Sequence, residues 1–341
     1  MPCQSRRAPA RDVPGASTAV LDRPNENPTA EPEEARNDLW WELDEATLTE
    51  PEKIEPPEMS AESRALQNIL VDQFDGHELD LPPLPIVAER VIRRLADSNY
   101  DIATLCNDIA EDQVIAAAVI RMANSAMYAG VEKITSLKPA VNRLGASAIR
   151  TLMLHQSLRA ASFSRRGADA QLSDMLWKRS LANAVITRGL ARFTDLDPDE
   201  AFLHGLLIDI GSVVVLREVQ RQQAMLHYKI EFDAFEYFCA ECHQELGELV
   251  AQAWNLPADL KSLIADHHRP PAPDDPLRRQ RYVMQLAAMV NSMVGYGVPA
   301  SYRLLETEPM QALQLLHRQG FRDFLLELPG HVELHVASLA F

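Results

Sequence analysis

From about Ala61 onward the chain repeats apolar residues at spacings of three and four, segment after segment, with short turns between. Ile86, Val87, Val91, Ile92 and Leu95 line one face of an amphipathic helix opened by Pro82-Pro83-Leu84-Pro85. Asp101 is placed to cap a segment through Ala110, and Val114 to Ala123, apolar almost all round, reads as a buried helix. The helical period continues through Ile149 to Ala160, Met175 to Phe193, Asp199 to Leu216, Phe232 to Trp254, Pro257 to His267, Met284 to Met293 and Met310 to His317. Turns such as Thr194-Asp195-Leu196-Asp197-Pro198 and Asn255-Leu256-Pro257 punctuate it. Only Val332, Leu334 and Val336 alternate as a strand would. Helices of this kind bury their apolar stripes against one another, so the expected fold class is all-α, a compact multi-helix bundle.

Residues 1–60 break this pattern. They hold nine of the 22 prolines and 14 acidic against six basic residues, a net charge of -8 out of -16 for the whole chain. Such a segment buries too little apolar area to offset its ordering entropy, and disorder is expected for this acidic, proline-rich tail. Within it, Asn37-Asp38-Leu39-Trp40-Trp41-Glu42-Leu43 stands apart, since Asn37 or Asp38 could cap a short helix and adjacent tryptophans are unusual in a solvated tail. Two readings stay open: a segment that tucks onto the domain, or a docking peptide in which Trp40 and Trp41 engage a partner. The organisation expected is a tail over 1–60, a helical domain over 61–270 and a helical extension over 271–341.

The acidic balance disfavours nonspecific binding to nucleic acid or to anionic membrane, both of which need a basic surface. The longest apolar stretch, Gly205 to Leu216, is interrupted by Asp209 and is too short to span a bilayer. No secretory signal is visible, and four cysteines in 341 residues do not make a disulfide framework, so a cytoplasmic location is expected.

Four features bear on chemistry. Gly205-Leu206-Leu207-Ile208-Asp209-Ile210-Gly211 has the form of a metal-ligand turn whose His-Asp pair has lost its histidine. Asp209 in apolar surroundings then needs a cation, hydrogen-bond donors or a basic neighbour, and a structural role for it is the simpler reading. His267 and His268 follow a helix; neighbours on a helix point about 100° apart, so one is expected to face the core and the other solvent. Cys239-Ala240-Glu241-Cys242-His243 matches a haem-attachment string, but it lies inside a long helical pattern, and neither haem nor zinc is expected there. His204 shares a face with Ile208 and points away from Asp209, so it does not replace the missing ligand.

Taken in order, these segments resemble the HDOD domain, a branch of the HD superfamily found in bacterial signalling proteins. The resemblance runs from Leu81-Pro82-Pro83-Leu84-Pro85 through Ile109-Ala110-Glu111-Asp112 and Arg121-Met122-Ala123-Asn124-Ser125-Ala126. Ile134-Thr135-Ser136-Leu137, Leu144-Gly145, Trp177-Lys178-Arg179-Ser180 and Gly205-Leu206-Leu207 continue it, and His243, Gly247, Trp254-Asn255-Leu256-Pro257 and His267-His268 close it. It implies an HD-like bundle. In competent HD proteins, histidines and aspartates from separate helices hold one or two metals that activate water against a phosphate ester. The resemblance makes Arg179, Ile208, Asp209, His243, His267 and His268 the vestigial positions of that site. Arg179 stands where an early histidine would fall and Ile208 where the His of His-Asp would, and a permanent guanidinium repels a cation. Asp209 is expected to pair with Arg179.

The function so implied is a non-enzymatic signalling module that works through protein contacts, with kinases, receivers or cyclic-dinucleotide enzymes as the partner class, and with no metal or other cofactor. The alternative is a residual metal-dependent phosphohydrolase built on Asp209, His243, His267 and His268.

Overall fold

The computed structural model describes residues 40–41, 56–76, 79, 81–97, 99–125, 127–128, 130–162, 168–226 and 230–339. Among the described residues every regular element is a helix, which is the class the periodicity predicts. The acidic tail expected over 1–60 lies outside the described residues up to 39 and again over 42–55.

A first lobe is built from α2 (Ile86–Leu95), α3 (Ile102–Ala110), α4 (Gln113–Ala123) and the leading part of α5 (Leu137–Ser162). Aspartates start two of these helices by taking up the free N–H groups of the first turn. Asp101 accepts from Thr104 N at 2.8 Å, and Asp112 accepts from Val114 N at 2.8 Å and Ile115 N at 3.1 Å. Val91, Ile109, Val119 and Ile149 are fully buried in its core. α4 is less enclosed than its composition suggests: Ile115, Ala118, Val119, Met122 and Ala123 are buried, while Val114 is 66% exposed. The helix has one neighbouring layer, so its opposite face meets solvent.

The second lobe is larger. Its helices are α6 (Ala168–Ala191), α7 (Pro198–Leu207), α8 (Gly211–Leu226), α9 (Phe232–Ala253), α10 (Ala258–Asp266), α11 (Arg278–Met293), α12 (Glu308–Ala312) and α13 (Phe321–Leu339). An N-terminal helix, Ala61–Gly76, adds Leu66 and Leu70 to the same core, which also holds Leu181, Leu206, Val215, Phe235, Leu263, Val290 and Phe321. The extension beyond residue 270 therefore shares this core. Val332 and Val336 are buried and Leu334 is 59% exposed, so the strand-like alternation is the i, i+4 face of α13. Trp41, 3% exposed, joins the core, and Trp40 lies half-buried beside it, so these two tryptophans pack on the chain's own domain; the rest of the segment 37–43 lies outside the described residues.

The lobes share α5, which turns at Gly145 through a left-handed backbone (φ 72°, ψ 177°) that glycine adopts without a side-chain clash. Trp254 Nε1 donates to Pro82 O at 2.7 Å across the lobes. Arg188 stacks 4.8 Å from the Tyr128 ring and donates to Tyr128 Oη at 2.7 Å, and it also pairs with Asp199 at 2.8 Å. No helix among the described residues is long and apolar enough to cross a membrane.

The pattern from Asp199 to Leu216 is not one helix. It breaks over Ile208-Asp209-Ile210 between α7 and α8. Just past the break α8 meets α9 closely: a Cβ on Gly211 would stand 1.9 Å from His243 O and 2.6 Å from Gly247 N. A Cβ on Gly247 would meet Ile264 Cγ2 at 2.7 Å, so glycines let α8 and α10 nest on one stretch of α9. Gly211→Ala forces these backbones apart. It is expected to lower stability by about 3 kcal/mol, the upper range of overpacking, and to appear as a clear drop in denaturant midpoint. An unchanged midpoint would show that the crossing has slack.

Candidate functional site

The break between α7 and α8 frees Asp209 from helical geometry. Its carboxylate faces His243 from the middle of α9 and His267 from the C-cap of α10, with Asp209 Oδ1 3.7 Å from His243 Nε2 and 3.4 Å from His267 Nε2. His243 Nε2 lies 3.1 Å from His267 Nε2 and 3.0 Å from His268 Nε2. The three imidazoles present ligand atoms all within 4.8 Å of one another. His267 is buried and His268 exposed, as expected of neighbours about 100° apart, yet both Nε2 atoms reach His243 from the turn that follows α10, so the expectation that the two do not act together is corrected.

The orientation of the rings is fixed from behind. His243 Nδ1 lies 2.8 Å from Cys239 O, and His267 Nδ1 lies 3.0 Å from Ile264 O. A carbonyl only accepts, so each Nδ1 carries a proton and each Nε2 faces the cluster. Nitrogens bound about 2.1 Å from one ion stand roughly 3.0–3.4 Å apart, which the His243 separations fit. The three imidazoles thus suit a single ion, with the Asp209 carboxylate beside His243 and His267.

The electrostatics agree with that donor set. Burial, with the neighbouring His267 adding to it, pushes the His243 imidazole below its ordinary value, which keeps the ring neutral. Burial drives His268 down to about 2, with His267 and His243 adding to the effect. For Asp209 burial works upward, but the facing imidazoles, His267 foremost, outweigh it and hold the carboxyl well below the usual range.

Arg179 and Ile208 do not join the cluster. Ile208 is 2% exposed and belongs to the core. Arg179 does not pair with Asp209 as expected: its Nη2 donates to both oxygens of Glu236, at 2.9 and 2.8 Å, and its Nε reaches Tyr296 O at 3.4 Å. Glu236 lies two helical turns before His243 on α9, so it offers the guanidinium a buried carboxylate while Asp209 turns to the imidazoles. The Cys239-x-x-Cys242-His243 string is a coincidence of spacing in which His243 faces the cluster. Burial pushes the Cys239 thiol far up and Cys242 up to about 11, so neither is a thiolate.

Two positioning residues escape a sequence reading. Glu236 interrupts the apolar stripe Phe235, Phe238, Cys239, and a lone acid on a buried face is the signal that could have marked it. Gln285 on α11 donates from Nε2 to His267 O at 3.0 Å and to Arg269 O at 2.8 Å, clamping the turn that carries His267 and His268. No local pattern announces that contact, which spans 18 residues to His267.

The HDOD domain family model matches residues 81–270. Among solved structures, a candidate metal-dependent phosphohydrolase from Shewanella amazonensis superposes with a TM-score of 0.64 at 18% identity, covering 80% of this chain and 100% of the other. An HDOD domain protein of unknown function from Geobacter sulfurreducens gives 0.59 at 23% identity, covering 83% and 99%. A candidate signal transduction protein from Marinobacter aquaeolei gives 0.52 at 19%, covering 80% and 66%. A curated relative, an uncharacterized protein of Treponema pallidum, is 22% identical over 231 residues, 64% of this chain and 43% of its own length, so the chain spans less than half of it. Identities this low establish a common fold.

Removing one partner of the buried Arg179–Glu236 pair leaves an uncompensated charge. Arg179→Ala is expected to cost about 3 kcal/mol or more in denaturant unfolding, and the joint change Arg179→Met with Glu236→Leu to recover most of it. Equal losses in both would show that packing, not charge, is what the pair supplies. His204 gives a pH signature. Its Nδ1 is buried without a hydrogen-bond partner, and burial holds the ring down to about 4 against the pull of Asp259. The unfolded chain protonates this ring near pH 6.5, so its effect on stability is absent above that pH and grows as pH falls toward 4, to roughly 3 kcal/mol. His204→Leu should flatten the acid limb of a stability–pH profile by one proton; an unaltered slope would assign the limb to other groups.

Proposed function

This chain belongs to the HDOD family, and from that premise we propose that it is a cytoplasmic regulatory module that works through protein contacts and turns over no phosphate ester. The observation that carries this reading is the Arg179–Glu236 pair. A guanidinium stands at the early ligand position, tied to both oxygens of a buried carboxylate, and a core isoleucine stands at the other. Two of the six expected positions thus have structural roles. The Marinobacter protein with this fold is described as a signal transduction protein, which agrees with kinases, receivers or cyclic-dinucleotide enzymes as the partner class.

A second reading is favoured by the remaining positions. Asp209, His243, His267 and His268 converge with their rings oriented from behind, and the Shewanella relative carries a metal-dependent phosphohydrolase description. These four residues would hold one ion, whose chemistry would be Lewis-acid activation of water or a phosphoryl oxygen. The chain's own residues would orient it through the Cys239 and Ile264 carbonyls behind the rings.

Elemental analysis of the purified chain, with hydrolysis of a generic phosphodiester in added manganese, separates the two. The expected outcome is at most one bound ion per chain, lost in His243→Ala, and no turnover above the blank. Turnover abolished by Asp209→Ala would overturn the regulatory reading in favour of the hydrolase.

A further inference from the structure

α13 contains Pro329 in its interior. Proline has no N–H, so the carbonyl four residues earlier, that of Leu325, has no helical donor to meet it, and the pyrrolidine ring crowds that carbonyl outward. Trp40 supplies the missing donor: its indole Nε1–H reaches Leu325 O at 2.8 Å, across 285 residues of sequence. Beside it Trp41 is buried to 3% exposure in the main core, and the two rings stand edge to face with centroids 5.4 Å apart. The acceptor, the donor and the apolar seat are thus matched one to one, in a contact between the adjacent tryptophans and the proline in the interior of α13.

We propose that the Leu325–Pro329 stretch of α13 is a recognition site for a tryptophan-bearing peptide segment, filled here in cis by the chain's own Trp40-Trp41, which acts as a strap. The chemistry selects an indole. A phenylalanine ring fills the seat but leaves the carbonyl bare, and a tyrosine hydroxyl extends from the wrong end of its ring. α13 packs in turn on α6 through Phe324, whose ring lies where a Cβ on Gly189 would stand, 2.6 Å away.

A double-mutant cycle on the full chain tests the first part. Trp40→Phe keeps the ring and removes the donor, and it should lower the folding constant about fivefold, the worth of one hydrogen bond. Pro329→Ala restores an N–H for Leu325 O, and in that background Trp40→Phe should have little effect. Equal penalties in both backgrounds would overturn the proposed match. For the second part, a fluorescein-labelled peptide of residues 37–43 is titrated against full-length chain carrying Trp40→Ala and Trp41→Ala, with circular dichroism confirming the fold. Saturable binding that is absent from the wild-type chain, and weakened about fivefold by Trp40→Phe in the peptide, is expected. If the double variant does not fold, the same titration uses the single Trp40→Phe chain. No saturable binding, or binding indifferent to the peptide's indole, would overturn the recognition site.

Discussion

Gly211 brings the start of α8 against the backbone of α9 with no room for a methyl group, and much of the second lobe is arranged around that approach. The closeness has a local setting and a distant effect. Locally, the chain turns over Ile208-Asp209-Ile210 just before the approach. At a distance, the turn aims Asp209 at His243, which is presented by the same stretch of α9 that Gly211 touches. The second glycine, Gly247, brings α10 onto that stretch too, and with it His267 and His268. Backbone contact therefore does the positioning, and the cluster needs no long or flexible side chain to form.

Arg179 and the histidine cluster meet burial in different ways for one physical reason. A buried charge must find its opposite or give up its charge. Arg179 cannot lose its proton, so it takes Glu236, a carboxylate sunk in the apolar face of α9. A histidine can stay neutral, and burial keeps His243 that way; the Nδ1–H groups of His243 and His267 sit against carbonyls. Asp209 adds its own oxygens to the cluster. The result is a wall closed by an ion pair on one side and a donor cluster on the other.

Much of the fold was legible in the chain, because helix formation is written locally. Asp101 and Asp112 announce their caps, Pro198 opens α7, and the stripe from Ile86 to Leu95 gives a helix with its buried face. The misreadings share a cause. Asp199 to Leu216 looks continuous because each half has the helical period, and only the assembled structure shows the break ahead of Gly211. Val332, Leu334 and Val336 fit a strand as well as an i, i+4 pair with an exposed residue between, and the core decides for the helix. Within the site, Asp209, His243, His267 and His268 could be named from their motif positions, yet adjacency on a helix argued against His267 and His268 acting together.

The sequence by itself determined the all-α class, the helix starts, the order of the motifs, and which residues stand at Arg179 and Ile208, since each depends on residue identity and on spacing within a few turns. Only the tertiary structure decided which charges meet. Arg179 chose Glu236 over Asp209, Gln285 reached back from α11 to hold the histidine turn, and Trp40 found the carbonyl that Pro329 leaves without a donor. These are pairings between elements far apart in the chain, and their energies depend on distance and burial in the assembled core, quantities that no stretch of sequence contains.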